Sequence, residues 1–148
     1  MPFYRTLNGI GSAVGLGEIA IDMAFDFQAL KGNTRIAYDY YRIILTTPHV
    51  NVITVLSISQ VIIMPLMEYL RNPEVWWLVL WIGNLSATFV YCTLVLPRYG
   101  RVTGGQPNAW QSGNAPYNPS VFKDWWIVLA FRIYAFIWIF LGLISSFS

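Results

Sequence analysis

The sequence predicts an all-α fold: a polytopic membrane protein whose four transmembrane helices form one bundle, with a long loop between helices 3 and 4. Three observations predict it. Only 11% of the 148 residues are charged, where an ordinary soluble domain carries about 25%. Hydrophobic residues make up 56% of the chain, and the mean hydropathy is +0.51. The apolar residues fall in four runs of the roughly 20 residues that a helix needs to cross about 30 Å of hydrocarbon. Seven Trp, nine Tyr and nine Phe suit the same class, because amphipathic rings collect where lipid meets water.

The four spans are expected at about 7–30, 48–70, 75–96 and 125–144, forming a single membrane domain over 1–148. The first carries three acids and the glycines Gly9, Gly11, Gly15 and Gly17. It has no small-x-small cleavage site in a polar setting, and reads as a retained span. A polar loop, KGNTRIAYDYYRIILTT, follows it. The second and third spans are joined by a tight turn at Arg71-Asn72-Pro73-Glu74. Pro73 suits the first turn of the third helix, where its missing N–H matters least. The stretch PRYGRVTGGQPNAWQSGNAPYNPS, with Tyr99, Trp110 and Tyr117 interspersed, is rich in turn-forming residues. Its length suggests a folded lid or a docking surface. Trp76, Trp77, Trp125 and Trp126 stand at span ends, as interfacial anchors do.

Charge sets the orientation. Lys31, Arg35, Arg42, Arg98, Arg101 and Lys123 lie in the first and third connections, which share one face of a four-span protein, whereas Arg5 and Arg71 lie on the other. By the positive-inside rule the former is the cytoplasmic, matrix or stromal face, and both termini lie opposite. A net charge of +2 without a basic run disfavours nucleic acid. The single Cys92 excludes an internal disulfide and a cysteine-based zinc site.

The chemically informative stretch is EIAIDMAFD. Glu18, Asp22 and Asp26 stand four apart, so they form one stripe of the first helix. Gly11 and Gly15 share that side, and a small-xxx-small pair admits a close neighbour. The stripe therefore looks into the bundle. A charge at depth is tolerated when it pairs or meets water, and the one basic residue inside a span is Arg132. Asp22 lies eight residues inside Leu30 and Arg132 seven inside Trp125, so at about 1.5 Å per residue their depths match. Asp22 and Arg132 are expected to pair, with Asp26 snorkelling to the interface. Such a pair either locks the first helix against the last or lines a polar cavity open to the positive face.

His49 opens the second span and is a candidate for that cavity, although a lone histidine at a helix start also serves as an interfacial residue. Asn84, with Thr88 four residues on, is a candidate to face the stripe. Asn51, Thr54, Ser57, Ser59 and Gln60 do not share one face and read as scattered interhelical hydrogen bonds. No Glu-x-x-His pair is present, so no metal is expected. There is no nucleophile elbow, phosphate loop or dinucleotide fingerprint either. No cofactor is expected; a bound lipid or pigment is compatible.

Four spans in about 150 residues, with Trp125 and Trp126 ahead of Arg132 in WWIVLAFR, resemble the small membrane proteins grouped as DUF1772, the anthrone-oxygenase-like family. The resemblance implies oxidation of polycyclic anthrones without an evident metal or flavin. It makes Arg132 the motif residue, Trp126 its neighbour, and the acidic stripe a cavity wall. Two functions are then expected. The first is a non-catalytic accessory subunit of a larger membrane complex, energy-transducing or oxidoreductase, that stabilises assembly by helix packing and loop docking. Its partners are the lipid bilayer and other membrane protein subunits. The second is a small membrane enzyme or ligand-binding protein with an apolar cavity near Asp22 and Arg132.

Overall fold

The computed structural model describes residues 2–103 and 117–148. The Trp110 part of the expected long loop lies outside the described residues. Within them the chain is helical, with no strand. Helix α1 spans Phe3–Leu30, α2 Thr34–Thr46, α3 Pro48–Arg71 and α4 Val75–Val90. A π-helical turn over Tyr91–Val95 joins α4 to α5 at Leu96–Val102. A short 3-10 turn at Pro119–Phe122 leads into α6 at Trp126–Ser146.

Three helical stretches are long and apolar enough to cross a membrane: His49–Arg71, Val75–Val102 and Trp126–Ser146. Helix α1 has the length, at 28 residues, but its acids dilute its apolar character. Its glycines make it a weak helix former in isolation, so packing must hold it. It packs most extensively against α6 and α3. A Cβ on Gly11 would fall 2.7 Å from Gln60 Cβ, and one on Gly15 would meet Ser57 Oγ at 3.1 Å. The two glycines thus mark where α1 and α3 touch backbone to side chain. Ser57 Oγ donates to the Gly11 carbonyl at 2.8 Å. Thr54, Ser57 and Gln60, expected to scatter, instead all address α1.

Two expectations about connections need correcting. The stretch read as a polar loop after α1 is largely helix α2. Its Ala37, Tyr38, Tyr41 and Leu45 are buried, a helical spacing that lays one apolar face on the bundle while Arg35 and Asp39 stay outside. The third span does not stop at Leu96. Pro97 has no N–H and crowds the carbonyl four residues back. The chain answers by widening the preceding turn, with Leu96 N–H reaching the Tyr91 carbonyl, and the helix runs on to Val102. The first residues of the expected long loop are therefore helical.

Each end of the bundle is closed by a different device. At the α2 end, Tyr38, Tyr41, Tyr99, Phe122 and Trp125 form a buried aromatic cluster, with Phe122 and Trp125 ring centroids 4.7 Å apart. Outside it, Asp124 accepts from Arg98 at 2.8 Å and Arg101 at 3.0 Å. Partial burial works against its charge, but those two cations win and hold its carboxyl below the usual range. At the other end, buried Glu68 accepts from Arg5 Nε at 3.1 Å and Arg71 Nε at 3.1 Å, and the Arg5 guanidinium lies 5.3 Å from the Trp77 ring centroid. Trp77 and Trp125 are buried rather than interfacial.

Candidate functional site

Asp26 is the centre of the polar cluster. Its side chain is wholly buried, which corrects the expectation that it snorkels: α2 and the start of α6 cover it. Trp125 Nε1 donates to Asp26 Oδ1 at 2.7 Å and the Tyr41 hydroxyl donates to the same oxygen. Arg132 Nε donates to Oδ2 at 3.3 Å. Three donors thus converge on one carboxylate, one of them cationic, and hydrogen bonds of that kind are the strong ones.

Arg132 also faces Asp22, with Nη1 3.6 Å from Oδ2. The guanidinium therefore bridges both carboxylates, the nearer contact being to Asp26. Its Cζ lies over the Tyr99 ring, 5.4 Å from the centroid, a cation–π contact in which arginine is found more often than lysine. Asp22 accepts a further bond from the Tyr40 hydroxyl. Burial, then the negative charge of Asp22, pushes the Tyr40 hydroxyl above its usual range; burial does the same for Tyr41 against the opposing charge of Arg132. Both phenols stay protonated and remain donors.

Glu18 stands apart from this network. Thr54 Oγ1 donates to Glu18 Oε2 at 2.6 Å. Its other oxygen, Oε1, is buried with no hydrogen-bond partner, as is Arg132 Nη2. Both residues line a cavity of about 100 Å³ between α1, α3, α4 and α6. Asp22, Asn84 and Thr88 reach its wall; Asn84 Nδ2 donates to the Leu80 carbonyl at 2.9 Å. The remaining surface is chiefly apolar, with Ile19, Val61, Phe131 and Ile139.

The structure thus brings Glu18, Asp22, Asp26, Arg132 and Asn84 together and sets Gly15 in the cavity wall, with Gly11 one turn beyond. It does not bring in His49 or Trp126. His49 is exposed at the start of α3, and no cavity contact involves it. Trp126 is 62% exposed, because a step of one residue turns it about 100° away from the face that carries Trp125. Sequence reasoning missed Tyr40 and Tyr41, read Thr54 as an interhelical hydrogen bond without naming Glu18 as its partner, and assigned Trp125 to the interface. A signal for Trp125 existed: it stands seven residues before Arg132, two turns along one face.

Among the described residues no group of three or more His, Cys, Asp or Glu is placed to hold a metal ion. Among the described residues, fold and site together define a helical protein with membrane-length apolar helices and a partly open, mainly apolar cavity with polar side chains in its lining. No protein-family model matches the chain, and comparison with curated proteins and with solved structures gives no match.

Proposed function

We propose that this chain is a multi-pass integral membrane protein that holds a small, largely apolar ligand inside its helix bundle, with α1 as the fourth span. The observation that carries the reading is the cavity itself, mostly apolar but with Glu18, Asp22, Asn84 and Arg132 among the residues that line it. Two of those residues also hold a buried polar atom without a hydrogen-bond partner, Glu18 Oε1 and Arg132 Nη2, where buried polar groups are ordinarily satisfied. At about 100 Å³ the cavity is smaller than the apolar cavity of about 150 Å³ that admits benzene, which limits an enclosed occupant to a few heavy atoms. The resemblance to anthrone-oxygenase-like proteins is compatible with an apolar ligand and rests on Trp125, Trp126 and Arg132. The accessory-subunit reading draws on a different observation, the closed Asp22–Arg132–Asp26 cluster, which also suits a purely architectural lock between α1 and α6.

One experiment separates the two. The protein is extracted in mild detergent, its native mass is measured, and bound small molecules are released and identified. A monomer or small homo-oligomer that carries a stoichiometric small molecule is the expected result. A large assembly of fixed composition would overturn it in favour of the subunit reading.

The four-span topology has its own test. In a Cys92→Ser background, a cysteine at Asn33 is expected to react with an impermeant thiol reagent from one side of sealed vesicles, the positively charged side. One at Asn72 is expected to react from the other side. Between the two turns lie α2, at 13 residues too short to span, and α3, so labelling of both from the same side would exclude α3 as a span.

A further inference from the structure

Helix α2 is amphipathic in a way that packing on the bundle does not use up. Ala37, Tyr38, Tyr41 and Leu45 are buried against the bundle. Ile36 and Ile43, seven residues apart and so on one side of the helix, are 51% and 64% exposed. A third stripe, Arg35, Asp39 and Arg42, is polar. An exposed isoleucine pair beside a charged stripe suits a helix that lies along a membrane surface, with its apolar side toward acyl chains and its charges toward headgroups. The contacts with α1 set α2 at that level. Tyr41 and Tyr40 donate to Asp26 and Asp22, which stand about 6 and 12 Å inside Leu30 along the helix axis. Helix α2 therefore folds back beside the end of α1 instead of reaching away from it.

This end of the bundle is cationic. Lys31, Arg35, Arg42, Arg98, Arg101 and Lys123 are set against two carboxylates, Asp39 and Asp124, and residues 104–116 contain no Asp or Glu. Asp124 takes Arg98 and Arg101, and Asp39 stands 3.4 Å from Arg35. The Arg42 guanidinium forms no ion pair among the described residues. Its Cζ lies 6.0 Å from the centroid of the Tyr38 ring, and that of Arg35 lies 5.9 Å from the same ring. One buried ring thus braces two guanidiniums on the polar stripe. Resting on the multi-pass reading above, which the Asn33 and Asn72 labelling decides separately, we infer that α2 is a binding site for anionic phospholipid. Its axis lies in the interface, Ile36 and Ile43 meet acyl chains, and Arg42, with Arg35 beside it, takes the phosphate of a negatively charged headgroup. A guanidinium fork matches phosphate oxygens. The net charge of phosphatidylglycerol, which phosphatidylcholine lacks, supplies the preference.

The test uses the full chain in a non-ionic detergent. Thermal unfolding is followed by tryptophan fluorescence while phosphatidylglycerol or phosphatidylcholine with the same acyl chains is titrated in, because a ligand that binds only the folded state raises the midpoint. Phosphatidylglycerol is expected to reach half-saturation at the lower concentration. Arg42→Gln is expected to raise that concentration about fivefold, the worth of one cation near an anionic surface, and to leave phosphatidylcholine unaffected; Arg35→Gln serves if that variant does not fold. Arg101→Gln removes the same charge at the same end, but from a group already spent on Asp124, and is expected to change the value less than about twofold. In sealed vesicles and a Cys92→Ser background, Asp39→Cys is expected to react readily with an impermeant thiol reagent on the positively charged side, and Ile43→Cys slowly. Equal half-saturation by the two lipids, or equal losses in Arg42→Gln and Arg101→Gln, overturns the lipid site. Inorganic phosphate that raises the midpoint as phosphatidylglycerol does also overturns it, in favour of a free-anion site. Equal reactivity of Ile43→Cys and Asp39→Cys sets both sides of α2 in water and overturns it too.

Discussion

Replacement of Arg132 by leucine is expected to destabilise the folded protein by about 3–5 kcal/mol, the range for breaking a buried ion pair from one side. The direction follows from what is left behind. Asp26 is wholly buried and Asp22 is 16% exposed. Without the guanidinium the two carboxylates face each other across a space that water reaches poorly. Asp26→Asn in the Arg132→Leu background removes one of those charges while keeping an oxygen for the Tyr41 and Trp125 donors. The double variant is therefore expected to be more stable than Arg132→Leu alone, with a coupling of about 1–3 kcal/mol. Arg132→Lys keeps the charge but loses the fork and its contact with Tyr99, and is expected to fall between. Reversible unfolding of detergent-solubilised protein, followed by tryptophan fluorescence, checks the series. Strictly additive losses would show that Arg132 and Asp26 do not act as a unit.

The second large effect is expected at Gly83 in α4. A Cβ there would fall inside the ring system of Trp138. An indole cannot give way by rotating one terminal bond, and this one stands edge-on to Tyr134, whose hydroxyl is hydrogen-bonded to Ser86 at 2.6 Å. Gly83→Ala must therefore push α4 and α6 apart or displace Trp138 and Tyr134 together. Overpacking of this kind costs about 1–3 kcal/mol. Gly17→Ala is the control: a Cβ at Gly17 meets nothing within 4 Å, and better helix propensity should make that change neutral or stabilising by about 0.5–1 kcal/mol. If Gly83→Ala unfolds at the same denaturant concentration as Gly17→Ala, the α4–α6 contact is looser than described. Combining Gly83→Ala with Trp138→Leu should recover much of the loss, because the smaller side chain leaves room for the new methyl group.

Helical class and the apolar stretches were legible because burial in lipid demands long runs of one kind of residue, as in WWIVLAFRIYAF. The contact of Arg132 with Asp22 could be read from depth alone, since two helices entering from one face bring residues of equal count to equal level. The closer partner, Asp26, could not be read that way. Its burial depends on α2, a helix whose average character is nearly neutral even though Ala37, Tyr38, Tyr41 and Leu45 form a clear apolar face. Reading hydrophobic content rather than periodicity made that segment a polar loop and hid Tyr40 and Tyr41 with it. Trp125 and Trp126 show the limit of composition in another way. The residues are identical and adjacent, yet one is buried on Asp26 and the other is 62% exposed. His49 was drawn toward the site by its chemistry and by its place on the expected face, while the start of α3 leaves it outside.

The sequence separation of the central cluster bears on how such a protein is made. Asp26 and Arg132 are 106 residues apart, and a ribosome adding about 5–20 residues per second needs about 5–20 s to cover that distance. Through that interval α1 exists without its counter-charge. Insertion of one aspartate at mid-depth is unfavourable by about 2.5–3.5 kcal/mol on the translocon scale, and α1 has three acids within nine residues. Helix α1 is thus poorly suited to partition into lipid by itself, whereas α3, α4 with its continuation to Val102, and α6 are each long and apolar enough to cross a membrane. With α1 as the proposed fourth span, biogenesis is then expected to run out of chain order: α1 waits at the insertion machinery or the membrane surface until α6 delivers its arginine, and α1 joins the bundle last.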